Sequence, residues 1–319
     1  MTAPIGTTPK VAATSGLTAK AGATTATAGR RGPRADRIAL HAAIVIIVVA
    51  WLLPTIGMLV NSFRPAQDVA HTGWWTILSP TAQLTFDNYT HVFDQAGIGN
   101  AFLNSLFITI PATIIPVAIA SFAAYAFAWM SFPGRNILFV VVVGLLVVPL
   151  QATVVPVLNV FRTLGVTGSS SDLAKTLPFL AVWLAHTGYG LPFAVYLLRN
   201  YMGGLPKEVF ESASIDGAGH ATAFFRLVLP MSFPALAALT IFQFLFVWND
   251  LFVAIVYIGA LNGAKLPLTA TLANLTNSLG GDWQYLMAAA FISMALPLVV
   301  FFAFQRYFVR GITGGAVKG

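Results

Sequence analysis

Lys207, Glu208, Glu211, Asp216, His220 and Arg226 all fall in one short segment, PKEVFESASIDGAGHATAFFRLVLP (Pro206–Pro230), of a chain in which only 8% of residues are charged. Such a concentration could serve acid–base chemistry, metal ligation, phosphate binding or recognition. Most of these lack their other parts. There is no cysteine, hence no thiolate nucleophile or thiolate metal site. The five histidines show no metal spacing and no HExxH. No G-x-S-x-G marks a hydrolytic serine. No G-x-x-x-x-G-K-[ST] occurs, and Gly217 and Gly219 do not complete G-x-G-x-x-G. Recognition remains.

The segment reads as helix, turn, helix. Pro206 suits a first helical position, and Glu208 and Glu211 favour the positive end of a helix dipole. Val209, Phe210 and Ala213 fall close to one side. Gly217 and Gly219 interrupt the helix. Asp216 is placed to N-cap a second helix through HATAFFRLVL, which meets the next apolar run at Pro230. Two readings stay open: a solvated helical connector, or a surface whose small residues (Ser212, Ala213, Ser214, Gly217, Ala218) let another protein approach closely.

A second set lies inside the apolar runs. Gln243, Trp248, Asn249 and Asp250 are candidates for a solute pathway, because polar groups left unpaired in lipid are costly. An indole stacks on the apolar face of a sugar ring, and amides and carboxylates match its hydroxyls. They equally suit bonds between helices, or an outer mouth. His186, in another run, is either paired between helices or part of the pathway.

Six long uncharged runs must position both sets: Ile38–Val60, Ala101–Met130, Asn136–Phe161, Thr176–Leu198, Leu227–Asn249 and Trp283–Gln305. Each meets the length of a membrane helix, about 20 residues. With 57% hydrophobic residues and a mean hydropathy of +0.81, the chain cannot cover itself in water. The expected class is therefore all-α, a polytopic membrane protein with six transmembrane helices. The second run is long enough to tilt or break, and the fifth may extend past Asp250 or kink. Pro111, Pro116, Pro149, Pro156, Pro178, Pro192 and Pro297 interrupt helical hydrogen bonds within the runs.

Thirteen of the 17 Lys and Arg fall on the side that holds both termini. The positive-inside rule puts that side in the cytoplasm, and with it the polar segment. Topology thereby explains the net charge of +7 without a nucleic-acid partner. Residues 1–37 are expected to be a disordered basic tail, with RRGPRADR (Arg30–Arg37) resting on anionic lipid. Residues 38–310 are expected to form a six-helix transmembrane domain, with loop 203–230 inside it, and 311–319 a cytoplasmic tail. Trp74 and Trp75, in the external connection Asn61–Asn100, suit interfacial anchoring or docking of an external partner.

The polar segment resembles the Glu-Ala-Ala loop of ABC-importer permeases. Glu211, Ala213, Gly217, Leu229 and Pro230 fall in register; Ser212 replaces an alanine and Leu227 an isoleucine. SIDGAGHATAFFRLVLP, FVWND (Phe246–Asp250) and QRYFVRGITGGAVKG (Gln305–Gly319) are similar to the carbohydrate, maltose-type branch. The resemblance covers residues 38 to 319. It implies a type I ABC-importer permease fold in the cell membrane and the import of a sugar or oligosaccharide. The implied partners are a second permease subunit, two copies of a cytoplasmic ABC ATPase and an extracytoplasmic solute-binding protein. ATP and Mg belong to the ATPase, so no cofactor and no catalytic residue is expected here. Glu211, Ser212, Ala213, Asp216, Gly217 and Pro230 would form the ATPase-coupling surface. The alternatives are an ion-gradient-driven secondary transporter, and an ABC permease for a non-sugar solute such as a polyol or glycerol phosphate.

Overall fold

The computed structural model describes residues 34–168, 171–258, 265–278 and 282–313. Among them every regular element is helical. The expectations for residues 1–33 and 314–319 lie outside this set. The chain divides into two units between Leu53 and Pro54.

Helix α1 (Arg34–Ser62) starts one turn before the apolar run and passes through Pro54. Residues 36–53, which belong to the first unit, are exposed on every side. A helix apolar all round is stable only where lipid or another helix covers it.

The second unit opens with α2 (Ala66–His71), a 3-10 turn at Trp74–Leu78 and α3 (Asp87–Asp94). Buried Arg64 pins this connection. Its guanidinium donates to Asn61 Oδ1 at 2.9 Å, Asp68 O at 3.2 Å and Thr76 Oγ1 at 3.0 Å, and also to Thr72 Oγ1. Trp74 covers Gly57, where a Cβ would come within 2.8 Å of the indole; Trp75 stays exposed.

Helices α4 (Ile98–Trp129) and α8 (Leu180–Gly203) pack along much of their length. Ala112, Ala120 and Ala124 on α4 and Ala181, Ala185 and Ala194 on α8 are all buried, and small residues let membrane helices approach closely. Helix α4 does not break at Pro111 or Pro116. Proline removes the helical N–H to the carbonyl four residues back. For Pro111 that carbonyl is Phe107 O, and Trp183 Nε1 of α8 donates to it at 3.0 Å.

The third and fifth runs do break. Helices α5 (Arg135–Gly144) and α6 (Leu150–Thr163) are separated by a bend of 107°. Val148 turns extended before Pro149 because a residue preceding proline is driven out of the helical region. After α7 (Asp172–Thr176) and α8 come α9 (Lys207–Ile215), α10 (His220–Ala223), a π-turn at Phe224–Val228, α11 (Leu229–Met231) and α12 (Phe233–Trp248). The chain bends by 72° between α11 and α12. Past Asn249 it continues as α13 (Phe252–Ile258), then α14 (Leu268–Ser278) and α15 (Trp283–Thr313). The six expected spans are thus four continuous helices and two bent pairs, each pair counted as one. The fifth run bends at Ser232, and its helix ends at Trp248 before a separate helix resumes at Phe252.

Candidate functional site

The polar segment projects as α9, α10 and the turn between them. Two aromatic contacts seat it. Phe210 stacks on Trp129 at the end of α4, with ring centroids 3.8 Å apart, and Trp129 Nε1 donates to Met202 O at 3.0 Å. Tyr125 of α4 lies 3.0 Å from His220 Nδ1 through its hydroxyl, which also donates to His220 O at 3.3 Å. Both contacts with the segment run to α4, and Trp129 in turn ties the end of α4 to α8 at Met202.

Sequence periodicity puts Phe210 and Ala213 on one side of α9 and Glu208, Glu211, Ser212 and Ile215 on the other, at about 100° per residue. The structure agrees: Phe210 and Ala213 are half-buried, and the other four are exposed. Ile215 is 87% exposed, an apolar side chain rimmed by carboxylates and a hydroxyl. The sequence reading passed over it. Its signal was the helical wheel, which sets it opposite the only large aromatic of α9.

Asp216 does not N-cap the second helix. It closes α9. Gly217 takes the left-handed conformation at φ 79°, its N–H donates to Ser214 O at 3.1 Å, and Ala218 N–H donates to Ala213 O at 2.9 Å. This is a Schellman closure, which glycine enters without a Cβ clash. The turn consumes two further residues, so α10 starts at His220 with Gly219 as its flanking residue. Pro206 likewise sits just before α9 rather than in its first position. Glu211, Ser212, Asp216, Gly217 and Pro230 are exposed, whereas Ala213 is turned partly towards the protein.

The candidate pathway residues do not form one lining. Gln243 is 6% exposed and Trp248 is 2% exposed. Gln243 Nε2 donates to Ala112 O at 3.2 Å, the carbonyl that Pro116 leaves without its helical donor. Trp248 packs edge-on to Phe102, with ring centroids 5.4 Å apart, and Nε1 donates to Ser293 O at 3.1 Å, the carbonyl freed by Pro297. In this conformation the Gln243 amide nitrogen and the Trp248 indole nitrogen are each engaged by a carbonyl at a helix break. Asn249 is exposed, though its Nδ2 donates to Leu245 O at 2.9 Å. Asp250 caps α13: Val253 N–H and Ala254 N–H donate to its two carboxylate oxygens at 3.3 and 3.0 Å. Fully buried His186 faces Asp250 Oδ2 from α8 at 3.6 Å. The separation exceeds a hydrogen bond, and neither ring nitrogen of His186 has a hydrogen-bond partner among the described residues. No cluster of potential metal ligands occurs among the described residues.

The family model of binding-protein-dependent transport system inner membrane components matches residues 117–314. An osmoprotective compounds uptake permease protein, GgtD, of Synechocystis sp. is 53% identical, over 89% of this chain and 93% of its own length. An alpha-glucoside transport system permease protein, AglG, of Rhizobium meliloti is 42% identical over 88% of this chain and 97% of its own. A crystal structure of a bacterial ABC transporter that imports the acidic polysaccharide alginate has a chain of the same fold, with a TM-score of 0.71, 20% sequence identity, and coverage of 87% of this chain and 98% of that one. The projecting segment, the bent spans and the matched region fall together, and the chain belongs to the family of binding-protein-dependent transport system inner membrane components.

Proposed function

We propose that this chain is one permease subunit of an ATP-driven ABC importer for a sugar or another hydroxyl-rich solute. A second permease subunit, two copies of a cytoplasmic ATPase and an extracytoplasmic solute-binding protein complete the assembly. Both termini and the α9–α10 segment lie in the cytoplasm, and ATP and Mg bind the ATPase. The observation that carries this reading is α9 itself. It is seated by Phe210 and closed at Gly217, and it turns Glu208, Glu211, Ser212 and Ile215 outward. Ile215 would enter an apolar recess on the ATPase, Glu211 would pair with a base beside it, and the tight turn at Gly217 would let the surfaces close. An exposed apolar group inside a polar rim is the usual form of a protein contact.

The sugar assignment is supported by the alpha-glucoside relative. A second reading, an osmoprotective solute, is favoured by the relative with 53% identity. One experiment tests both. The permease pair, the ATPase and the binding protein are reconstituted in vesicles, and ATP-driven uptake is measured across a panel of oligosaccharides and osmoprotective solutes. Uptake that requires ATP and the binding protein supports the assignment, and the solute accumulated chooses between the readings. Uptake driven by an ion gradient without ATP refutes it.

A further inference from the structure

Three carbonyls freed by prolines find donors on neighbouring helices, and two of the three donors sit on α12. Gln243 reaches α4 at Ala112 O, behind Pro116, and Trp248 reaches α15 at Ser293 O, behind Pro297. The third, Trp183, joins α8 to α4. Gln243 has room because α8 carries Gly190 beside it, where a Cβ would come within 2.7 Å of Gln243 Oε1. Helix α12 is also the element that the chain enters directly from α9, α10 and α11. It therefore connects the cytoplasmic segment to two of the helices whose hydrogen-bond ladders proline interrupts, α4 and α15.

We propose that Gln243 and Trp248 are positioning residues for transport, through which α12 transmits displacement of the α9–α10 segment to α4 and α15. The physical argument is one of mechanical contrast. Helices that pack only through apolar side chains can slide past one another in a membrane, because their contacts are non-directional. A hydrogen bond to a carbonyl at a proline break is directional. It grips the helix where the missing rung makes bending easiest. Movement of α12 by its cytoplasmic end would thus bend α4 near Pro116 and α15 near Pro297 instead of sliding along them. The inference rests on the coupling role proposed above for the α9–α10 segment.

The test uses the full transporter in vesicles, with Gln243→Met and Trp248→Phe, each of which keeps bulk and removes the donor. The readout is ATP hydrolysed per solute imported, normalised to assembled complex. Both substitutions should raise that ratio at least threefold. A purely structural role would reduce the amount of complex and leave the ratio as it was, and that result overturns the proposal. If a variant fails to assemble, the ratio is read in Gln243→Met/Pro116→Ala or Trp248→Phe/Pro297→Ala. There the restored helical N–H satisfies the carbonyl without restoring the tie, so the ratio should still be raised; a wild-type ratio overturns the proposal. Pro116→Ala and Pro297→Ala alone restore the missing rung, stiffen the bend and compete with the donor for its carbonyl, so each should also raise the ratio. A wild-type ratio in both would show that the breaks are not used in coupling and overturns the proposal. No ATP-driven uptake by the wild-type assembly would instead refute the function from which the inference starts.

Discussion

Replacing Phe210 by alanine should loosen α9 without disturbing the helices beneath it. A buried aromatic side chain removes roughly 150–250 Å² from water. Phe210 is half-buried, so about half of that, at ~25 cal/mol per Å², amounts to roughly 2–3 kcal/mol. Stacking on Trp129 adds about 0.5–1.5 kcal/mol, while the β-carbon that alanine retains and the compactness of a detached segment subtract a similar amount. A net loss of about 2 kcal/mol multiplies the undocked fraction of α9 roughly thirty-fold, since ~1.4 kcal/mol is one factor of ten. Trp129 keeps its bond to Met202 O, so α4 and α8 should stay in register. Amide hydrogen exchange on the permease pair in lipid, without ATPase, reads this directly. Protection over Lys207–Ile215 should fall by more than tenfold, while protection in α4 and α8 stays within twofold. Unchanged protection over Lys207–Ile215 would mean that the stack does not seat the helix, and would refute the reasoning. A uniform fall across all three helices would refute its locality.

Ile215→Ser should leave the thermal stability of the permease unchanged, because the side chain is 87% exposed, yet weaken ATPase binding by about ten- to a hundredfold, the equivalent of burying an isoleucine; titration of the ATPase onto the permease checks it. Gly190→Ala should destabilise by about 1–3 kcal/mol through overpacking, because the new Cβ would meet the Gln243 amide at 2.7 to 2.8 Å; thermal unfolding in detergent measures it. Asp250→Ala should cost about 1–2 kcal/mol as a lost helix cap, and Asp250→Asn should recover most of it; hydrogen exchange across α13 compares them.

The sequence alone determined that the chain is a helical membrane protein, how many apolar runs it has, and the register of Glu211, Gly217 and Pro230. Those features are local: about 20 uncharged residues need a helix in lipid whatever surrounds them, and a left-handed turn needs a glycine wherever it occurs. Tertiary structure decided which polar side chains were free. Gln243 and Trp248 read as pathway candidates because a buried amide and an indole look alike in one dimension whether a solute or a proline-freed carbonyl is their partner. Their acceptors, Ala112 O and Ser293 O, belong to other helices, and no periodicity along one strand of sequence pairs a donor with a carbonyl 131 or 45 residues away. The breaks in the third and fifth runs were likewise undecided, because whether a proline breaks a helix depends on what the neighbouring helices supply. Pro111 and Pro116 have such neighbours, and α4 runs through them.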